Sequence, residues 1–247
     1  LSAHTIPKKF VPLVMFYAHE PDESIQRKAA TWIRSTFNRE LDLHDSWNDL
    51  LFETSYVRLI HMLSYHSEFK NIYQEYISTE ENTDDRSQAF YNLSAFTTAY
   101  LSFAVGIIAT ADNISLLFYL AQRVKQYQSI SFESGTEDSD QQHTESKEKD
   151  ERLYFVSDLA QLVVKQIAEM RKWYTTTWPG KIALPSDLYQ KNRSKELVQD
   201  VVKSTFIPEQ YLNEVTRIVK TSCKRFKNLP KNKTIGKRAR REKNDEQ

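Results

Sequence analysis

The sequence predicts an all-α protein, and three observations carry that prediction. Glycine is scarce, with four in 247 residues, under a third of the usual ~7 %. β-Hairpins and phosphate-cradling loops draw on residues that accept φ > 0, so this chain has little from which to build them. Apolar residues recur three and four apart along most of the length, the period of a helix with one buried face. The breaks between periodic stretches are short and polar, as turns between helices are. With 40 % hydrophobic and 27 % charged residues, the chain is long enough to bury a substantial core.

Taken in order, Phe10, Leu13, Val14 and Tyr17 line a first short helix that starts after Pro7. His19-Glu20-Pro21-Asp22 reads as a turn, with Pro21 and Asp22 opening a second helix on Ile25, Ala29, Trp32, Ile33 and Phe37. A third helix runs from about Trp47 on Phe52, Tyr56, Leu59, Ile60 and Leu63, and Phe69, Ile72 and Tyr76 mark a shorter partner. Glu80 to Asp85 is a polar loop. From Ser87 to Ala111 there is no charged side chain, and such a length would cross a bilayer. Asn92, Ser94, Thr97, Thr98 and Ser102 interrupt it, however. A helix uncharged all round is also what a centrally packed helix looks like, and that reading is preferred. Asp112 is placed as the N-cap of a helix carrying Ile114, Leu117, Ala121 and Val124.

The starts near Pro7, Trp47 and Arg86 lie 40 and 39 residues apart, and each interval holds two helices. A helix pair returning about every 40 residues is the signature of a HEAT-type solenoid. A helical bundle would show similar stripes, and the regular interval favours the solenoid over residues 6–128.

Residues 129–151 break the period. Between 131 and 151 there are eight acidic and two basic side chains and only Phe132 as an apolar anchor. Such composition cannot bury enough surface to offset its ordering entropy, which predicts a disordered acidic loop. Ser134, Ser139 and Ser146 offer positions for phosphorylation there, although a plain solvated loop is the simpler reading. Residues 152–227 return to helices. Leu153, Val156, Leu159, Val163, Ile167 and Met170 form one stripe, and Leu197, Val198, Val201 and Val202 another. A last helix begins at Pro208, on Leu212, Val215, Val219 and Phe226. Between the first two, residues 173–189 form a Pro-rich strap. Trp178-Pro179-Gly180 and Leu184-Pro185 force an extended path, and its apolar side chains, Leu184 above all, are expected to pack back on the helices. Residues 228–247 form a basic tail.

The residue types argue against catalysis. The glycines at 106, 135, 180 and 236 are isolated, so no phosphate loop is present. His61 and His66 are five apart, about 140° around a helix, and cannot converge on one metal. Asp42, His44 and Asp45, and His19 with Glu20 and Asp22, read as turn and capping residues. Cys223 lies among Lys220, Lys224 and Arg225, which favour a thiolate, but no histidine is near it in sequence. Being a single cysteine it fits a reducing compartment. Trp32, Trp47, Trp173 and Trp178 read as packing residues. No catalytic or metal residue is assigned, and no enzyme is expected. Because residue 1 is Leu, an excerpt or processed piece is expected, and a missing signal sequence says nothing about a parent chain. In the tail, Lys231, Lys233, Lys237, Arg238, Arg240 and Arg241 suit either a nuclear import signal or contact with nucleic-acid phosphates.

Several of these stretches also resemble a known family. IPKKFVPLVMFYAHEPDESIQRKAATWIRSTF (6–37) and YVRLIHMLSYHSEF (56–69) are similar to successive HEAT units of the cohesin-associated precocious-dissociation-of-sisters (Pds-five) family. NISLLFYLAQRVKQYQ (113–128) resembles the helix before that family's variable insertion. RLYFVSDLAQLVVK (152–165), followed by PGKIALPSDLY (179–189), resembles the end of its helical region. The order and spacing of these motifs over about residues 6–190 are what make the resemblance specific. It implies a non-enzymatic, nuclear, chromosome-associated regulator of sister chromatid cohesion. The partners it implies are the kleisin subunit of the cohesin complex, a Wapl-type releasing factor and the cohesin acetyltransferase. Some relatives bind inositol hexakisphosphate. Full members are several times longer and this chain matches their C-terminal part, so no kleisin- or inositol-phosphate-binding residue carries over. The alternatives are a nucleic-acid-binding module acting through the tail and an unrelated helical-repeat adaptor.

Overall fold

Helices pair along the chain and are then bridged by one long helix. The computed structural model describes residues 10–43, 51–81, 83–130, 139–192 and 195–227. The first pair is α1 (Val11–Met15) with α2 (Glu23–Leu43), the second α3 (Leu51–Tyr65) with α4 (Ser67–Ser78). Next come α5 (Asp84–Ile108), which packs against α4, and α6 (Ile114–Arg123), which packs against α3. A short strand, β1 (Tyr127–Ser129), precedes the bridging helix α7 (Ser139–Arg171). An extended strap then leads to β2 (Tyr189–Lys191), and α8 (Lys195–Lys203) and α9 (Leu212–Lys224) follow. β1 and β2 pair antiparallel with Gln128 opposite Gln190. The frame is the all-α HEAT-type repeat that glycine scarcity and period predict.

α5 is the hub, packing against α2, α3, α4, α7 and α9. Contact on every side explains why its sequence is apolar all round. Thr83 caps it, its Oγ1 accepting from Arg86 N–H at 3.2 Å, and Asp84 and Asp85 sit in the first turn, where the positive end of the helix dipole favours acids. Phe90, Leu93, Leu101, Ile107 and Ile108 are fully buried. The Thr97 hydroxyl donates to Leu93 O at 2.8 Å, so a buried polar group is satisfied within the helix. By length and composition α5 could cross a membrane, yet 78 % of its most apolar window lies inside the protein. Gly106 sits under the Phe226 ring, where a Cβ would come within 2.5 Å of Cγ. The end of α9 therefore closes on α5 only because that position lacks a side chain.

Four expectations need correcting. The buried stripe of α1 is Val11, Val14, Met15 and Ala18, while Phe10, Leu13 and Tyr17 are 42 %, 48 % and 47 % exposed. Both stripes keep three-and-four spacing and differ by one residue, about 100° of rotation. A five-residue helix running into a 3-10 turn at Phe16–His19 is too short for period to choose between them. Second, the cap before α6 is Asn113, not Asp112. Asn113 Oδ1 accepts from Thr110 N–H at 2.8 Å and its amide donates to the buried Glu53 carboxyl at 3.0 Å. Third, α7 begins at Ser139, so the segment 129–151 is not a loop throughout. Two of its acidic side chains have specific partners: Glu148 accepts from Arg152 at 2.8 Å and from Gln74 at 2.5 Å. Asp150 accepts from Ser129 N–H at 3.2 Å. Composition counts charges but does not see such partners. Ser134 and the rest of 131–138 lie outside the described residues. Fourth, Leu212, assigned to the buried stripe of α9, is 43 % exposed. It occupies the first position of its helix, directly after the 3-10 turn Glu209–Tyr211.

Candidate interaction surfaces

The strap and the β1–β2 ladder together form a markedly polar junction, clamped onto α3. Leu184 is buried and anchors the strap, as its apolar character predicts. Asp187 takes both Nη groups of Arg58, at 2.7 and 2.9 Å. This bidentate pair, with Arg58 on α3, holds the Asp187 carboxyl below the ordinary carboxylate range. The Tyr189 hydroxyl donates to Val57 O at 2.8 Å. Under the ladder, the Tyr65 hydroxyl donates to Ser129 Oγ at 2.6 Å, and Ser129 Oγ lies 2.9 Å from His61 Nε2. With Tyr65 as donor, the Ser129 hydroxyl proton is free to point at an unprotonated Nε2. Burial favours that neutral imidazole and lowers its pKa to about 4.

A second polar lock ties α7 to the segment before α9. Lys125 and Asp158 form a buried ion pair. Lys125 Nζ also donates to Ser204 O at 2.7 Å, and Asp158 accepts from Phe206 N–H at 2.7 Å. A buried pair with its remaining hydrogen-bonding capacity filled fixes register more than it adds stability. Arg171 closes the far end of the frame, donating to Gly106 O, Ala109 O and Phe226 O. Cations suit these carbonyl-rich helix ends.

The groups that might have carried chemistry are structural. The Cys223 thiol is buried, and burial pushes its pKa up to about 12 despite Arg225, so it is the inert kind of cysteine. His66 caps α4, its Nδ1 accepting from Glu68 N–H at 3.2 Å, and stacks on Phe16. His61 and His66 do not meet. Among the described residues no group of three or more His, Cys, Asp or Glu is gathered as metal ligands would be. Trp32, Trp173 and Trp178 pack against the core. His44, Asp45, Trp47 and the tail residues Lys231, Lys233, Lys237, Arg238, Arg240 and Arg241 lie outside the described residues.

The apolar side chains of Phe10, Leu13 and Tyr17 stand on one outer face, and Tyr174 projects from the strap at 89 % exposure. The family model described as Sister chromatid cohesion protein PDS5 protein matches residues 1–190. The chain belongs to the PDS5 family. Its Saccharomyces cerevisiae relative, Sister chromatid cohesion protein PDS5, is 31 % identical over 225 residues, covering 88 % of this chain and 16 % of that protein. The Schizosaccharomyces pombe protein of the same description is 25 % identical over 233 residues, covering 94 % of this chain and 16 % of that protein. The chain thus spans about a sixth of the length of these PDS5 relatives. The PDS5 match runs through α1 to α7 and the strap, and ends within β2. α8 and α9 lie beyond it.

Proposed function

We propose that the chain is a non-enzymatic scaffold segment of a cohesin regulator, acting on chromosomes in the nucleus. Its partners on this reading are the kleisin subunit of cohesin, a Wapl-type releasing factor and the cohesin acetyltransferase, and its effect is on the maintenance and release of sister chromatid cohesion. The observation that carries the proposal is the PDS5 match over residues 1–190, which takes in the helices α1 to α7 and the strap. The frame is suited to the role. Repeat arrays present long surfaces built from successive helix pairs, and exposed apolar side chains grouped on one face, as at Phe10, Leu13 and Tyr17, are a feature of protein-binding surfaces. Inositol hexakisphosphate is not required by this reading. The test is affinity capture from cells with the tagged chain, followed by identification of retained proteins. Retention of cohesin subunits supports the proposal, and retention equal to that of an unrelated helical-repeat control of similar charge contradicts it.

A further inference from the structure

α9 carries its charge on one side. Val215, Ile218, Val219 and Cys223 are buried against α5 and α7. Arg217, Lys220, Lys224 and Lys227 are exposed. Spacings of three and four residues place Arg217, Lys220 and Lys224 in one row along the helix, and Lys227 follows in the turn after it. Seven residues of helix set Arg217, Lys220 and Lys224 over about 10 Å, with a cation roughly every 5 Å. Arg217 has an acidic neighbour on the helix, Glu214 at 3.5 Å. From Val215 to Arg241 the sequence holds eleven cations and no acid.

We infer that this outer face of α9 is a contact surface for the phosphate backbone of double-stranded DNA, sequence-independent and separate from the basic tail. Three features choose this occupant. The row is lysine-rich with no exposed apolar residue among Arg217–Lys227, whereas protein interfaces deplete lysine and centre on apolar contact. The nearest aromatic, Phe226, is 6 % exposed and turned into the core, so no platform stands beside the row for the stacked bases of a single strand. A duplex carries one negative charge about every 1.7 Å of its axis, so a row of exposed cations meets phosphates without a matched spacing. α9 lies beyond residues 1–190, which the family model matches.

The experiment uses the full 247-residue chain and a fluorescent duplex of about 30 base pairs and arbitrary sequence, with affinity read by anisotropy from about 50 to 200 mM salt. Replacing Lys220, Lys224 and Lys227 together with Gln is expected to leave the circular dichroism spectrum and melting temperature unchanged, since all three are exposed. It should make the slope of log affinity against log salt shallower by about 2 to 3, at roughly 0.9 for each phosphate left without its cation. A second variant ending at Leu229 should keep a measurable salt-dependent affinity. The inference is overturned if the parent chain does not bind the duplex, or if the triple variant binds with the parent's affinity and slope. It is likewise overturned if removing the tail abolishes binding, or if polyglutamate competes for the chain as well as the duplex does.

Discussion

The hub helix α5 and the strap over α3 are both tightly held, but with different shares of packing and polar contact. α5 is held by packing: neighbouring helices press on it from several sides, and the Thr97 hydroxyl turns back on the helix's own carbonyls. The strap has a buried aliphatic anchor, Leu184. Trp173, Trp178, Ile182 and Leu188 pack partly buried beside it, and polar contacts add a second hold through Arg58–Asp187, Tyr189–Val57 and the His61–Ser129–Tyr65 set. Non-directional burial tolerates changes of pH and salt, whereas polar clamps depend on protonation and geometry. The repeat array therefore has a frame that stays fixed and an outer segment whose docking is conditional.

The difference can be tested by substitution. Phe90 is fully buried between α4, α7 and Tyr211, stacked on the Tyr211 ring at 4.3 Å. Phe90→Ala should cost about 3–5 kcal/mol in denaturant unfolding, and a loss below that of any strap variant would break the contrast. Leu184→Ala should cost about 2–4 kcal/mol. It should also speed hydrogen exchange at Tyr189–Lys191 while leaving the α5 amides exchanging as in the parent, and equal acceleration in both regions would show that the strap is part of the core.

The next effect is pH-dependent. His61 is an ordinary imidazole when unfolded, near pH ~6.5, and is lowered to about 4 by burial when folded. Its neutral form is the one the fold accommodates. The stability it allows is complete above pH ~6.5 and is lost as pH falls through the window down to about 4. Asp150 acts in the opposite sense, because burial raises it to about 6 and protonation relieves that cost. Comparing parent and His61→Gln isolates the histidine. Between about pH 7 and pH 5 the parent should lose about 2 kcal/mol more than the variant, and parallel pH curves would remove His61 from the account. Asp187→Ala gives the smallest effect. Asp187 is largely exposed, and exposed ion pairs contribute on the order of 0.2–1 kcal/mol. Its contribution should vanish below the folded carboxyl's pKa, which lies under the usual carboxylate range.

What the sequence made legible follows the same division. Stripes long enough to average over several turns came through whole: Phe52, Tyr56, Leu59, Ile60 and Leu63 on α3, and Ile114, Leu117, Ala121 and Val124 along α6 and its end, are all buried. The strap's anchor was legible because prolines and a leucine in an extended run leave burial as its source of stability. The polar clamps were not, since Arg58 and Asp187 stand 129 residues apart and His61 and Ser129 stand 68 apart, and no local pattern links them. α1 was misread because two stripes one residue apart are equivalent over so short a helix. The α9 row could have been found from its cation spacing alone. The density of charge in the tail drew the reading onward to Lys231 and beyond.

The scaffold role makes the most exacting demand, that partner proteins meet the helical frame and not merely the basic end. Lysine crosslinking of the purified chain mixed with cohesin subunits, read by mass spectrometry, measures this directly. The account predicts crosslinks from the kleisin subunit to frame lysines such as Lys28, Lys70 or Lys165. Crosslinks confined to Lys231, Lys233, Lys237 and Lys243, or abolished by competing DNA, would contradict it.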